Sequence, residues 1–383
     1  MQIGINGAFW EMQATGSGQY LRQLLAALVA APAAGAAEER YTLYLPGRPG
    51  RNGAETSPGV GVETLAPPPG WRRENLAKLW FEQHAVPRAC ARRGDALLHV
   101  PYFAPPLRAR VPVVVTIHDL IPLLLAPYRG SAGVRAYMGL VSSAARRAAL
   151  VLTDSQASAR DIERLLRIPP ERLRVVPLAA SRLYRPLPPA ERAPVLRRLG
   201  IAEPYLLYPG GFDVRKNVPG LLRAYALACG RLGELRLVIA GRLPEHSAFT
   251  PDPRAVAHDL GIEAQVYFTG WVDEADKPAL YSGALAFVFP SRYEGFGLPV
   301  LEALACGTPA IYARGSSLDE IAGPGGLAVP PQDDGALAEA LVACATDDAL
   351  RLRLGAEGYR HATRFSWEQA AAQTRAAYRA ALR

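Results

Sequence analysis

Short runs of aliphatic and β-branched residues alternate along the chain with stretches whose apolar positions recur every three or four residues. In the first half "QIGING" reads as a strand, and "GQYLRQLLAALVAA" has the apolar spacing of a helix. "RYTLYLP", "ALLHVP", "VPVVVTIHD", "ALVLTDS" and "RLRVVPL" read as further strands, and "SQASARDIERLLR" as a helix capped by Ser155. The second half repeats the scheme. "PYLLYPGG", "LRLVIAG", "QVYFTGW" and "ALAFVFPS" are strands; "VPGLLRAYALACG", "DKPALYSGA", "PVLEALACG", "DGALAEALVACAT" and "DALRLRLGAEGYRHAT" are helices. Strands that are apolar throughout and separated by helices predict parallel sheets covered on both faces.

Two such series predict two doubly wound domains, which suits 383 residues better than one core. The rhythm breaks in the proline- and arginine-rich stretch Arg182–Pro204, which places the join. The expected division is residues 1–187, residues 188–365 and a closing helix at 366–383. "PGRPGRNGAETSPG" and "APPPG" read as loops, and no fixed-period repeat is present. In doubly wound sheets ligands bind beyond the carboxyl ends of the strands. With two such domains, a cleft between facing strand ends is the expected site.

Composition narrows the partners. Half the residues are apolar and a fifth charged, as in a globular chain. The net charge of +8 suits phosphorylated small molecules, acidic lipid or nucleic acid. The absence of a run of like charges argues against a nucleic-acid tail. The lysines are Lys78, Lys216 and Lys277; arginine supplies the remaining basic charge. The four cysteines form no CxxC pair and no zinc-spaced cluster, so a reduced, cytoplasmic setting and no metal site are expected. The start lacks a basic stretch followed by an apolar run, so no signal peptide is expected. The apolar stretch "VPVVVTIHDLIPLLLAP" is broken by His118, Asp119 and prolines and does not read as a membrane span.

The chemistry concentrates in "RYEGFGLPVLEALACGTPA", where Glu294 and Glu302 are separated by seven residues. Pro299 suits the first turn of a helix and Gly307 its C-terminal end. Glu294 then lies in a loop and Glu302 in the first turns. Gly295 and Gly297 allow backbone N–H groups close to a ligand, and the helix N-terminus favours negative charge. Phosphate and sugar hydroxyls fit such a place. The two glutamates alone leave a second reading open, a capping acid beside an ordinary surface acid.

The longer string decides between them. "YEGFGLPVLEALACGTPAI", continued by "GSSLDEIAGPGGLAVPPQD", resembles the E-x7-E signature of retaining glycosyltransferases of family 4, which have the GT-B fold, two Rossmann-like domains facing a central cleft. The resemblance implies that Glu302 holds the nucleotide ribose and Glu294 faces the donor sugar. It places the backbone of Phe296, Gly297 and Leu298 against the diphosphate or sugar. "YLLYPGGFDVRKNVPGLLRAYAL" is similar to the opening of the family's donor domain and makes Lys216, with Arg215 beside it, the diphosphate clamp. Where many members carry an arginine after the glycine, this chain has Gly211 and Phe212; Arg215 is the candidate replacement.

"VVVTIHDLIPLLLAP" resembles the segment whose histidine, here His118, touches the donor sugar; Asp119 either fixes its ring or caps the next turn. "ATGSGQYLRQLL" resembles the glycine loop near the donor phosphates, with Gly16 and Gly18 as candidates. "GWVDEADKPALYSGA" is similar to the loop whose backbone near Trp271 and Val272 meets the base. "FSWEQAAAQTRAAY" is similar to the closing helix that crosses back to the first domain.

The resemblance implies transfer of a hexose from a nucleotide sugar to a glycan or lipid-linked acceptor, with retention, without an obligatory metal or other cofactor and without a dedicated base. "HDLIPL", "RKN" and "SSLDE" are closest to the mannosyltransferase-like branch of bacterial polysaccharide synthesis, hence GDP-mannose. UDP- and dTDP-sugars, an epimerase or phosphorylase on the same architecture, and a non-catalytic nucleotide-sugar binder are the alternatives. The basic, aromatic stretch "WRRENLAKLWFEQHAVPRACARR" fits either a core-packed helix or peripheral contact with the inner face of a membrane.

Overall fold

The computed structural model describes residues 1–12, 15–30, 39–47, 59–68, 74–245 and 247–383. The chain forms two units. The first is Met1–Leu178 together with Ser366–Arg383, and the second is Ala179–Phe365.

The first unit holds one parallel sheet: β1 (Gln2–Asn6), β2 (Arg40–Pro46), β3 (Val60–Leu65), β4 (Leu97–Val100), β5 (Val113–Thr116), β6 (Leu150–Thr153) and β7 (Leu173–Val175). Their spatial order is β3-β2-β1-β4-β5-β6-β7. The second holds β8 (Tyr205–Tyr208), β9 (Arg236–Ala240), β10 (Val266–Gly270), β11 (Ala284–Phe289), β12 (Ala310–Ala313) and β13 (Gly326–Val329), ordered β10-β9-β8-β11-β12-β13. In each sheet the strand order reverses direction at one point, between β1 and β4 and between β8 and β11. Such a switch opens a crevice beyond the strand ends. The central strands β4, β5, β6 and β8 are buried throughout, which is why they read as unbroken apolar runs.

Local signals act as expected at several ends. Ser155 Oγ accepts from Ser158 N at 3.1 Å and starts the helix Gln156–Leu166. Ser366 caps the last helix, Trp367–Ala381, through Gln369 N at 3.1 Å. That helix docks within the first unit: Arg375 Nε lies 2.9 Å from Glu39 Oε2, and Tyr378 Oη is 2.8 Å from His99 Nδ1.

Three features depart from the sequence reading. The units divide at Leu178/Ala179 instead of 187/188. The proline-rich stretch packs on the second unit, with Tyr184 Oη donating to Glu274 and Leu187 N to Ser282 Oγ at 3.1 Å. That stretch also contains a helix, Pro189–Arg198, with Pro194 inside it. β3, β12 and β13 were not expected; β12 and β13 have four residues each, and β3 alternates at a half-exposed edge.

The basic, aromatic segment is helical over Glu74–Arg93, with a wider π turn at Phe81–Ala85 just before Pro87, which has no N–H to donate. Phe81, Val86, Ala89 and Cys90 join the core, while Arg88, Arg92 and Arg93 are exposed. Residues 48–58 and 69–73, which carry most of the two loop readings and the start of this segment, lie outside the described residues. Among the described residues no helix is long and apolar enough to cross a membrane.

Candidate active site

The second unit's switch point gathers most of the expected residues. β8 is followed by Gly210 (φ 98°) and Gly211 (φ 86°), a backbone conformation that glycine adopts without strain. A Cβ on Gly210 would lie 2.5 Å from the Ala240 carbonyl oxygen. One on Gly211 would lie 3.1 Å from Lys216 Cε, so glycine at 211 makes room for the lysine. Val214–Lys216 form a single 3-10 turn, with Asp213 accepting from Arg215 N at 3.2 Å. Asn217, in the left-handed region at φ 55°, then turns the chain into the helix Val218–Leu232.

From this turn Lys216 crosses the Phe289 ring, its Nζ 4.5 Å from the centroid, and donates to Glu294 Oε1 at 2.7 Å. Arg215 Nη1 lies 2.6 Å from the same oxygen and 2.9 Å from the Tyr293 carbonyl. Ser291 Oγ donates to it as well, at 2.5 Å. Burial pushes the Glu294 carboxyl upward, but Lys216 and Arg215 outweigh it and hold the group below its usual range. Burial, with repulsion from Arg215, lowers the Lys216 ammonium despite Glu294. Asp213 Oδ1, 3.6 Å from Arg215 Nε, is a second carboxylate in the cluster, so two cations face two carboxylates.

The loop after Glu294 is fixed from below. Ser317, fully buried, donates to the carbonyls of Glu294 at 2.9 Å and Phe296 at 2.8 Å. Phe296 is buried edge-on against Phe365. Gly297 (φ 106°) is the N-cap of the helix Leu298–Ala305, and Gly307 (φ 78°) follows its end, as the sequence predicts. The first amides of that helix have no partner within it and point to whatever lies before it.

Glu302, one turn further along, is 8% exposed and accepts from Tyr281 Oη at 2.9 Å. Burial, reinforced by Glu274 and opposed by Lys277, pushes its carboxyl up to about 7. Their surroundings thus push the two carboxyls in opposite directions. Tyr281 also lines a cleft of about 440 Å³, together with Gly211, Asp213, Arg242, Trp271 and Val272. Trp271 is 58% exposed on its rim, its Nε1 donating to Asp273 at 3.0 Å, whereas Val272 is buried.

The remaining expected residues belong to the first unit. His118 follows β5; its Nδ1 is 2.6 Å from Asp154 Oδ2 and its Nε2 3.3 Å from the Pro101 carbonyl. Asp119 caps the next turn by accepting from Ile121 N at 2.9 Å, so the ring is fixed by Asp154 instead. Gly16 opens the helix Gly16–Ala30, and a Cβ there would meet nothing within 4 Å. A Cβ on Gly18 would lie 2.2 Å from the Met12 carbonyl oxygen, so packing alone explains that glycine.

Comparison with known proteins assigns this arrangement. Residues 197–361 match the family model "Glycosyl transferases group 1", and residues 14–180 match "Glycosyltransferase Family 4". The chain is 36% identical over 287 residues to O-antigen chain mannosyltransferase B of Escherichia coli, covering 74% of each. The chain belongs to glycosyltransferase family 4. It is also 33% identical over 299 residues to an MMP alpha-(1->4)-mannosyltransferase of Mycolicibacterium hassiacum, covering 76% of this chain and 69% of that one. Sucrose-phosphate synthase of Thermosynechococcus elongatus superposes with a TM-score of 0.81 at 25% identity, over 99% of this chain and 98% of that one. The two doubly wound units are therefore those of a GT-B glycosyltransferase.

Several residues that shape this glycosyltransferase's candidate site were not singled out in the sequence. Ser291 and Ser317 hold Glu294 and its loop, Tyr281 holds Glu302, and Asp154 holds His118. Arg242 lines the cleft directly after β9. Position just after a strand was an available signal for Ser291, Asp154 and Arg242. Ser317 and Tyr281 carry none, because each is defined by a partner more than twenty residues away.

Proposed function

We propose that this glycosyltransferase moves mannose from GDP-mannose to a glycan or lipid-linked acceptor at the inner face of a membrane, with retention at the anomeric carbon. One observation carries the donor site. Lys216 and Arg215 converge on Glu294 Oε1 beyond the ends of β8 and β11, on the unit whose 440 Å³ cleft is lined by Trp271 and Val272. The names of the two mannosyltransferase relatives support the sugar, and exposed Arg88, Arg92 and Arg93 fit an anionic surface.

In this reading the donor diphosphate engages Lys216 and Arg215 in competition with Glu294 and Asp213, and the two cations stabilise charge developing on the leaving phosphate. The amides of Gly297 and Leu298 at the helix start add to it. Glu294 turns to the sugar hydroxyls and Glu302 to the ribose. Trp271 and Val272 border the base, and the family resemblance proposes His118, Gly16 and Gly18 as further donor contacts. The leaving phosphate accepts the acceptor's proton. Charge stabilisation by side chains and amides makes a divalent cation non-obligatory, so turnover persists with a chelator present.

The test is release of nucleoside diphosphate from a panel of nucleotide sugars, with a thermal-shift panel of GDP, UDP and dTDP. GDP alone should raise the melting temperature by mass action. Stabilisation by UDP alone would replace GDP-mannose with a UDP-sugar, and conversion of the sugar without an acceptor would favour epimerisation.

A further inference from the structure

His118 and Asp154 follow neighbouring strands and keep the register of those strands. β5 and β6 pair as Val114↔Leu150, Val115↔Val151 and Thr116↔Leu152, an offset of 36 residues. The zipper runs past the strands: Ile117 N donates to the Leu152 carbonyl at 2.8 Å, and Thr153 Oγ1 to the Ile117 carbonyl at 2.8 Å. The same offset sets His118 against Asp154. Ser158 Oγ pins the His118 carbonyl at 2.9 Å, and Tyr20 meets the ring edge-to-face at 4.7 Å.

The two ring nitrogens face different atoms of one kind. Nδ1 faces a carboxylate oxygen at 2.6 Å and Nε2 a backbone carbonyl at 3.3 Å, and both are acceptors. A neutral imidazole has one N–H and can satisfy only one of them; the imidazolium satisfies both. We propose that Asp154 is the positioning residue for His118 and that, with the Pro101 carbonyl, it holds the ring as a fixed, doubly protonated cation.

The surroundings agree. Burial works against the charge on His118, but Asp154, with Asp119 next in line, outweighs it and raises the group above its usual value. Tyr20, packed on the ring from the first helix, bonds Thr116 Oγ1 at 3.0 Å, and burial and Asp154 keep its phenol protonated. His99 on β4 has the opposite fate. Its nitrogens meet two hydroxyls, Thr116 at 2.9 Å and Tyr378 at 2.8 Å, and burial plus the charge of His118 pull it down to about 3. Neighbouring strands therefore carry one neutral and one charged imidazole. An imidazolium with both protons engaged contributes charge and position, and it is not free to accept a proton. This rests on the reading that His118 touches the donor sugar. It leaves the acceptor's proton to the leaving phosphate and assigns His118 to electrostatic support.

The experiment is an NMR titration of the histidine ring protons in the full chain, with His118→Gln assigning the resonance. The His118 midpoint should lie above the ordinary value of about 6.5. Asp154→Asn, close in shape, should lower it by roughly 1 to 3 units, and Asp154→Glu should restore part of the shift. In nucleotide-sugar turnover, Asp154→Asn should lower kcat/KM by about a hundredfold and move the alkaline limb of the pH profile downward. A wild-type midpoint at or below the ordinary value, or one unmoved by Asp154→Asn in a protein with native circular dichroism, overturns the proposal. The titration needs no substrate, so its failure is distinct from failure of the donor-site reading, which Lys216 and Glu302 variants decide.

Discussion

Lys216 and Glu294 lie 78 residues apart in sequence and 2.7 Å apart in the fold, on loops that follow the adjacent strands β8 and β11. The contact exists because the strand order reverses between those strands, so two loops that diverge in sequence open the same crevice. Arg215 lies on the same oxygen and also 3.6 Å from Asp213, so both cations are gathered at the mouth of that crevice.

Lys216→Ala should therefore reduce nucleotide-sugar turnover by about 100- to 1,000-fold. The folded state should survive, because Arg215 and Ser291 still satisfy Glu294. Initial rates and a thermal melt on the same preparation separate the two effects.

Glu302 makes stability depend on pH in a defined direction. Its folded pKa of about 7 lies above the ordinary glutamate value of 4.5, so between these values the native state holds a proton that the unfolded chain releases. The contribution is full below about 4.5 and is lost as pH rises through about 7, on the order of 3 kcal/mol in all. Glu302→Gln should flatten this loss, so the variant should melt above the wild type at pH 8 and lose that advantage at pH 4.5. Donor affinity should move the other way in the wild type and rise through pH 7, because ribose hydroxyls donate best to the carboxylate.

The two candidate glycines of the first unit should behave oppositely. Gly18→Ala forces a Cβ onto the Met12 carbonyl and should destabilise by about 1–3 kcal/mol. Gly16→Ala meets nothing and should stay within about 0.5 kcal/mol of the wild type. Urea unfolding measures both, and lost turnover in a stable Gly16→Ala protein would mark a ligand contact.

Ser317→Ala should cost about 1–3 kcal/mol, because it strips a buried donor from the carbonyls of Glu294 and Phe296. The loop carrying Glu294 loses its anchor, so donor affinity should fall along with the melting temperature.

Most of the architecture was legible where burial left a one-dimensional trace. β4, β5, β6 and β8 are buried on both faces and spell uninterrupted apolar runs. Pro299, Gly307 and Ser155 marked helix ends correctly because capping is local. β13 is only partly buried, and β12, though buried like β4, is marked as a strand only by its pairing with β11 and β13. The side-chain partners were hidden for the same reason. Asp154 is bound to His118 by a strand register, and Tyr281 to Glu302 by the packing of two helices. A lone sequence records neither register nor packing, so it exposed Glu294, Glu302, Lys216 and His118 but not the groups that set their charge.

If Lys216 and Arg215, gathered on Glu294, hold the donor diphosphate, the diphosphate carries most of the nucleotide's affinity. Calorimetric titration with GDP and with guanosine tests it most directly. The wild type should bind GDP far more tightly than guanosine, and Lys216→Ala should lose at least tenfold in GDP affinity while leaving guanosine binding unchanged. Equal GDP affinity in the wild type and in Lys216→Ala would contradict the claim.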